Sequence, residues 1–209
     1  MTKIAVTIEC RPNGPYLVKG LDDLSRSSGE ALRTEPVVAL CRCGGSATKP
    51  FCDGTHKKNG FSDARVGGGE PDRADVYQAP GITLRDNRSI CAHAGHCTDG
   101  LATVFKYGSE PWIDAAGATP QAIAAVVARC PSGALSCTLD GQSSPAAEPG
   151  PARVTVEKDG PYAVRGPVEL VNAPWATGAA KDRYTLCRCG QSKNKPFCDG
   201  THWDAGFKD

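Results

Sequence analysis

The sequence predicts an α+β protein built from small domains rather than from one large core. The 209 residues include 11 Cys, 24 Gly and 16 Pro but only 5 Phe, 5 Tyr and 3 Trp, so an apolar core would be thin. One cysteine-rich segment occurs twice, near the two ends of the chain. A different cysteine-bearing segment lies between the copies. Metal ligation is therefore expected to supply much of the folding free energy of each domain.

The repeated segment carries three cysteines and one histidine at the spacing C-x-C-x8-C-x3-H. Thiolate and imidazole are the ligands that proteins use for zinc and for iron–sulfur clusters. Two sets with the same spacing indicate that the chain is built to bind metal. The candidate ligands are Cys41, Cys43, Cys52 and His56 in the first copy and Cys187, Cys189, Cys198 and His202 in the second.

The full repeated pattern, C-x-C-x2-S-x3-P-x-C-D-G-T-H, resembles the signature of the CDGSH (mitoNEET-like) iron–sulfur family, with Thr55 and Thr201 in place of the Ser. This resemblance implies one [2Fe–2S] cluster in each copy, held by the three Cys and the His. It also implies that the two copies pair their strands into a β-cap, here within one chain as an intramolecular pseudo-dimer. The alternative is zinc, because three Cys and one His also form a tetrahedral zinc set.

Each repeat is predicted to contain a hairpin and a third strand. Apolar and polar residues alternate before the turns at Asn13–Gly14 and Asp159–Gly160, and the pattern resumes at Tyr-x-Val. A further short strand is predicted to lead into the first cysteines, over residues 37–40 and 184–186.

A short helix is predicted after the third cysteine of each repeat. Asp53 and Asp199 are well placed to act as its N-cap residues. His56 and His202 would then lie in the first turn of that helix.

Composition divides the chain into three domains. Gly- and Pro-rich stretches at 67–71 and 140–151 are predicted linkers. The predicted domains are residues 1–66 and 152–209 for the repeats and 75–139 for the segment between them.

The middle segment has its own candidate ligands, Cys91, Cys97 and Cys130. Thr119–Pro120 is a predicted helix start, with Pro at the first helical position. Cys130 falls on the apolar face of that helix, and Pro131 ends it. The helix would therefore present the Cys130 thiol toward the interior.

This segment resembles a divergent single-cluster ferredoxin domain, or half of a bacterial ferredoxin, with Ala94 at the position of the central cysteine. The resemblance implies an α+β domain with an iron–sulfur cluster on Cys91, Cys97 and Cys130. With three thiolates the predicted cluster is [3Fe–4S]. The alternatives are a [4Fe–4S] cluster with water, His93 or His96 on the fourth iron, or no cluster at all.

Several classes of function are excluded by composition. The net charge is +1 without a basic cluster, so no nucleic-acid partner is expected. No stretch approaches the roughly 18 apolar residues of a membrane span, and the start shows no signal peptide, so we expect a cytoplasmic protein. A reducing compartment also suits cysteines that lie in ligand motifs. No catalytic triad, phosphate-binding loop or dinucleotide motif is present, so we do not expect an enzyme.

The sequence thus predicts a multi-cluster iron–sulfur protein that transfers electrons. Replacing one Cys ligand by His raises the reduction potential of a two-iron cluster. A single imidazole is also the ligand most easily lost to acid. The alternative is therefore cluster storage or delivery, or redox or pH sensing. The expected partner is a redox protein or an apo-protein that accepts clusters, and the expected state is a monomer.

Overall fold

The structure, a computed structural model, describes residues 5–143 and 150–209. Short strands dominate it, and its α-helices lie in the middle segment. The first repeat forms β1 (Val6–Cys10), β2 (Tyr16–Lys19), β3 (Leu24–Arg26) and β4 (Val37–Leu40). The middle segment forms β5 (Asp75–Ala79), β6 (Ile82–Asp86), α1 (His96–Gly100), α2 (Pro120–Val127), β7 (Leu135–Leu139) and β8 (Gln142–Ser143). The second repeat forms β9 (Arg153–Val156), β10 (Tyr162–Arg165), β11 (Val168–Val171) and β12 (Arg183–Leu186).

The predicted hairpins are confirmed in both repeats. β1 pairs antiparallel with β2, and β9 pairs antiparallel with β10. The turn residues Asn13 and Asp159 have positive φ angles of 47° and 52°, as such turns require. The predicted third strands are β4 and β12, which pair antiparallel with β2 and β10.

Each repeat contributes one strand to the sheet of the other repeat. β11 of the second repeat lies parallel to β1, which gives the sheet order β11-β1-β2-β4. β3 of the first repeat lies parallel to β9, which gives the order β12-β10-β9-β3. Between the two sheets, the rings of Tyr16 and Tyr162 meet edge to face with their centroids 5.9 Å apart. Both repeats therefore share one core.

The middle segment forms an antiparallel sheet, β5-β6-β7-β8, with α2 packed on β7. The predicted start of α2 is confirmed, since Pro120 is its first residue and the Thr119 hydroxyl accepts a hydrogen bond from the amide of Ala122. Ile123 and Val127 of α2 are buried against the sheet.

The second predicted linker begins later than expected. Asp140 and Gly141 have positive φ angles of 47° and 78° and turn the chain back, so Gln142–Ser143 pairs with β7 as β8. A two-residue Asp-Gly loop is a hairpin signal, and it prevails here over the Ser- and Pro-rich residues that follow. Residues 144–149 of that linker lie outside the described residues.

The predicted helix after the third cysteine is wrong in extent. In the first repeat it is one 3₁₀ turn, Thr55–Lys57, with Gly54 in the capping position, and in the second repeat the chain forms only hydrogen-bonded turns. Gly54 and Gly60, both at positive φ, bracket a segment too short for an α-helix. The Asp53 carboxylate still accepts hydrogen bonds from the amides of Thr55 (2.9 Å) and Ala47 (2.8 Å), which hold the turn in place.

Across the described ranges, no helix combines the length and the apolar character needed to cross a bilayer.

Candidate metal centres

The four candidate ligands of each repeat come together as two pairs. The sulfur atoms of Cys41 and Cys43 are 3.8 Å apart, and those of Cys187 and Cys189 are 3.7 Å apart. The Cys52 sulfur lies 3.4 Å from Nδ1 of His56, and the Cys198 sulfur lies 3.5 Å from Nδ1 of His202. The same local geometry therefore occurs twice.

These separations match two ligands on one tetrahedral metal atom. At metal distances of about 2.3 Å for sulfur and about 2.0 Å for nitrogen, two thiolates on one tetrahedral metal lie about 3.8 Å apart and a thiolate and an imidazole about 3.5 Å apart. In residues 5–143 and 150–209, no three or more His, Cys, Asp or Glu side chains are arranged to hold one ion together. Each pair is therefore spaced as two ligands of one metal atom.

A tyrosine from each repeat holds the cysteine loop of the other. The Tyr16 hydroxyl donates to the carbonyl oxygens of Cys187 (2.9 Å) and Pro196 (3.1 Å). In the reciprocal contact, the Tyr162 hydroxyl donates to the carbonyl oxygens of Cys41 (2.8 Å) and Pro50 (3.1 Å). The position of each ligand loop therefore depends on the opposite repeat.

The arginine between the first two cysteines of each repeat, Arg42 or Arg188, also holds the cysteine loop in place. Arg188 is fully buried and donates to the carbonyl oxygens of Gly160 (2.8 Å) and Glu157 (2.6 Å). Its guanidinium also contacts the Asp209 carboxylate at 2.6 Å. In the first repeat Arg42 makes the corresponding ion pair with Asp63 at 3.3 Å. Each guanidinium is paired with a carboxylate, so the arginine holds the loop without adding an unpaired buried charge.

Both cysteine loops also approach each other at their glycines. A Cβ atom on Gly44 would lie 2.5 Å from the carbonyl oxygen of Cys189, and one on Gly190 would lie 2.8 Å from the carbonyl oxygen of Cys43. Both glycines have positive φ, 73° and 78°. Only glycine satisfies the backbone angle and the close approach together.

Solvent reaches the two sets of ligands to different extents. In the second repeat all four are buried, with Cys198 at 2% and His202 at 4% exposure. In the first repeat Cys43, Cys52 and His56 are only half-buried. Burial raises the pKa of Cys198 well above its ordinary value, with a further contribution from Cys187. Burial lowers the pKa of His202, with His93 acting in the same direction.

The middle domain covers the second set of ligands. The Asn194 side chain donates to the carbonyl oxygen of Ser89 at 2.8 Å. A Cβ atom on Gly200 would lie 2.8 Å from the His93 ring, whereas one on Gly54, the equivalent glycine of the first repeat, would meet nothing within 4 Å. These contacts place the loop that carries the middle cysteines directly over the second repeat.

The three candidate ligands of the middle domain line one small cavity of about 40 Å³. Cys91 follows a 3₁₀ turn, Cys97 lies in α1, and Cys130 follows α2. Burial raises the pKa of Cys91 to about 12, and the pKa of Cys97 is also raised by burial. A neighbouring Cys130 thiolate raises both pKa values further. Buried thiols of this kind become ligands when a metal ion replaces the proton.

Sequence reasoning did not identify the two tyrosines that reach across the repeats. A signal was available, because both copies carry Gly-Pro-Tyr at the same point, with the tyrosine as the first residue of β2 and of β10. It also missed Asp86, which is buried in the cavity of the middle cysteines. The sequence signal for the burial of Asp86 was the alternation of side chains along β6, which places Asp86 on the same face as the buried Ile82 and Leu84.

Comparison with known proteins matches two families to separate parts of the chain. The family described as iron-binding zinc finger, CDGSH type, matches residues 13–57 and 159–203. The family described as divergent 4Fe-4S mono-cluster matches residues 77–140. "Uncharacterized protein YjdI" of Escherichia coli K12 is 34% identical over 59 residues, which are 28% of this chain and 78% of YjdI. YjdI of Escherichia coli O157:H7 matches equally.

No solved structure matches this chain. The family matches and the donor sets together identify an iron–sulfur-binding protein. The chain belongs to the CDGSH family of iron-binding proteins, with two CDGSH domains on either side of a divergent ferredoxin-type domain.

Proposed function

We propose that this protein transfers electrons between iron–sulfur clusters held within one chain and a partner protein. The observation that carries the proposal is the packing of the middle ligand set against that of the second repeat. Gly200, two residues after Cys198, packs against the His93 ring, and the Asn194 side chain donates to the carbonyl oxygen of Ser89 at 2.8 Å, so the two cysteine-bearing loops lie against each other. Two unlike metal sites side by side are expected of a protein that transfers electrons internally.

In this proposal each repeat holds one [2Fe–2S] cluster. The close pair of thiolates would bind one iron, and the third Cys with the His would bind the other. The separations within the pairs support this assignment over a single zinc ion, which would need all four donors to converge on one point. Such clusters accept and donate single electrons, and the His ligand raises their reduction potential.

The middle domain would hold a third cluster on Cys91, Cys97 and Cys130. Their shared cavity supports this assignment. Three thiolates alone complete a [3Fe–4S] cluster, whereas a [4Fe–4S] cluster requires one more ligand.

The two repeats would act as an intramolecular pseudo-dimer. The strands that they exchange and the reciprocal hydrogen bonds of Tyr16 and Tyr162 support this arrangement. A monomer would then satisfy by itself the pairing that single-repeat proteins achieve with two chains.

The partner would meet the first repeat. Its ligands Cys43, Cys52 and His56 are half-buried, whereas those of the second repeat are covered. We propose a protein redox partner in the cytoplasm, no nucleic-acid or membrane partner, and no substrate conversion by this chain itself.

The exposure of the first repeat also favours a second candidate, delivery of its cluster to an apo-protein. A half-exposed His56 can leave the metal and open the site to an acceptor. The covered ligands of the second repeat would then hold a permanent cluster.

A reductive titration followed by mixing with an acceptor separates the two functions. The holo protein is titrated anaerobically, then mixed with an oxidised ferredoxin or with an apo-ferredoxin, and iron and sulfide are measured on each protein. We expect reversible reduction and reoxidation by the oxidised ferredoxin with the iron retained. Rapid movement of iron and sulfide to the apo-ferredoxin, without electron exchange, would instead support delivery.

A further inference from the structure

One buried carboxylate near the middle cysteines is only weakly paired. Asp86 ends β6 and is 1% exposed. Its oxygens accept no hydrogen bond of standard geometry from the described residues, and its neighbouring donors are Arg88, with Nε 4.0 Å from Oδ2, and the Trp112 side chain. Burial raises the pKa of Asp86 to about 6, with the Arg88 guanidinium and the Trp112 side chain acting in the opposite direction. A buried carboxylate with such weak pairing is costly unless it also binds a metal.

Asp86 lines the same cavity as the three thiols. The cavity of about 40 Å³ is enclosed partly by the apolar side chains of Trp112, Val126 and Leu135. In the register of the sheet, Asp86 of β6 is paired with Leu135 of β7. Leu135 follows Cys130 by five residues in the chain. The sheet therefore fixes the carboxylate beside a donor set that lacks one ligand.

We propose that the Asp86 carboxylate binds the fourth iron of a [4Fe–4S] cluster whose other ligands are Cys91, Cys97 and Cys130. This inference rests on the proposed function, because it requires that the middle domain holds a cluster. Carboxylate oxygen is an established ligand for iron in proteins. Coordination would stabilise the buried charge more than the 4.0 Å ion pair with Arg88 does.

The histidines of the same loop are less suitable for this position. His93 and His96 also line the cavity, but both are exposed. The His93 ring packs against Gly200 of the second repeat, and His96 lies close enough to Glu157 to lower its pKa, although burial raises that pKa overall. Both rings therefore interact with the second repeat, whereas Asp86 is buried within the middle domain and its nearest donors, Arg88 and Trp112, belong to that domain.

The test uses the full chain, purified and reconstituted anaerobically, with Asp86→Asn, Asp86→Cys and Asp75→Asn variants. Asp75 stands directly opposite Asp86 on β5 but pairs with Arg73 at 3.0 Å, so it controls for the loss of a carboxylate on this sheet. Iron per chain, the Mössbauer spectrum and the electron-paramagnetic signal of the oxidised protein are measured.

We expect the oxidised wild type and Asp75→Asn to show no paramagnetic signal, because oxidised [2Fe–2S] and [4Fe–4S] clusters have even electron counts. Asp86→Asn should lose about one iron atom per chain and show a [3Fe–4S] signal. Asp86→Cys should restore the silent state, because a thiolate takes the same position.

A silent Asp86→Asn variant with unchanged iron would overturn the inference, and so would a [3Fe–4S] signal in the anaerobic wild type. If Asp86→Asn only raises the unfolding midpoint, the carboxylate is an unfavourable buried charge and not a ligand. The cluster assignment itself is tested separately by Cys91→Ser and Cys130→Ser. If those variants lose no iron, the middle domain binds no cluster and the proposed function fails at that point.

Discussion

At the scale of single residues, each repeat offers one imidazole and three thiols as candidate metal ligands. Metal binding requires a neutral imidazole, and imidazole protonates closer to neutral pH than a metal-bound thiolate does. His56 is half-buried and His202 is buried, and burial lowers the pKa of His202. A lowered pKa keeps His202 neutral to more acidic pH, so the second site is expected to retain its metal longer as the pH falls.

We predict that acid removes the two repeat clusters in two phases, the first repeat before the second. Visible absorbance is followed after pH jumps to values below about 6.5, the ordinary pKa of histidine. His56→Cys should remove the faster phase and His202→Cys the slower one, because each substitutes a ligand that resists protonation. If both single variants keep the biphasic loss of the wild type, histidine protonation does not control cluster release.

We also predict that removing a tyrosine hydroxyl from one repeat weakens cluster binding in the other repeat. Tyr16→Phe should accelerate chelator-driven loss of the second-repeat cluster, and Tyr162→Phe that of the first. Each variant leaves buried carbonyl oxygens with fewer donors, and each should lower the free energy of unfolding by about 1–3 kcal/mol.

The two sites are distinguished by making these changes in a His56→Cys background, where the first cluster has a different spectrum. Tyr107→Phe is the matched control, because Tyr107 is 93% exposed and should change neither rate. An effect of Tyr16→Phe on the first repeat alone would contradict the cross-repeat contact.

At the scale of elements, the close approach of the two cysteine loops sets a limit on side-chain size. Gly44 lies after the second cysteine, where a Cβ atom would collide with the backbone of Cys189. A backbone carbonyl cannot move aside as a flexible side chain can. The loop of one repeat would therefore have to shift away from the other.

We predict that Gly44→Ala lowers the free energy of unfolding by more than about 2 kcal/mol and reduces cluster occupancy in both repeats. Positive φ alone costs about 1–2 kcal/mol for a residue with a Cβ atom. Gly29→Ala is the control, because Gly29 also has positive φ, 89°, but open space around it. Urea unfolding and iron content are measured on both variants. Equal losses would show that the loop contact contributes nothing.

At the scale of the whole molecule, the middle domain makes the two equivalent repeats unequal. Lys193 Nζ donates to the carbonyl oxygen of Gly68, and Arg65 Nε donates to that of Lys195, so the connection after the first repeat also runs along the second. Together with the contacts of Asn194 and His93, these bonds fix the middle ligands beside those of the second repeat.

We predict that Gly200→Ala weakens this docking more than Gly54→Ala does. Both glycines have nearly the same φ, 86° and 87°, so the backbone cost of the two changes is equal. Only Gly200 contacts the His93 ring. The expected result is faster loss of the second cluster and a weaker magnetic interaction between reduced clusters in Gly200→Ala. Identical behaviour of the two variants would contradict the docking contact.

The sequence by itself determined the candidate ligand sets, the hairpins and the start of α2. These features depend on residues a few positions apart, whose geometry follows from short-range spacing, turn residues and caps. The paired separations of Cys41 with Cys43 and of Cys52 with His56 are of this kind. The length of the turn after the third cysteine was predicted wrongly, because two glycines at positive φ outweighed the helix cap at Asp53.

Only the tertiary structure decided which strands the repeats exchange, the unequal burial of the two candidate ligand sets and the burial of Asp86 beside the middle cysteines. Tyr16 reaches a carbonyl 171 positions away, a contact that no local pattern encodes. The two repeats have nearly the same local sequence, so their difference in exposure arises from where the middle domain packs. The packing of distant segments depends on many weak contacts summed over the whole molecule. Those contacts form only when the chain folds.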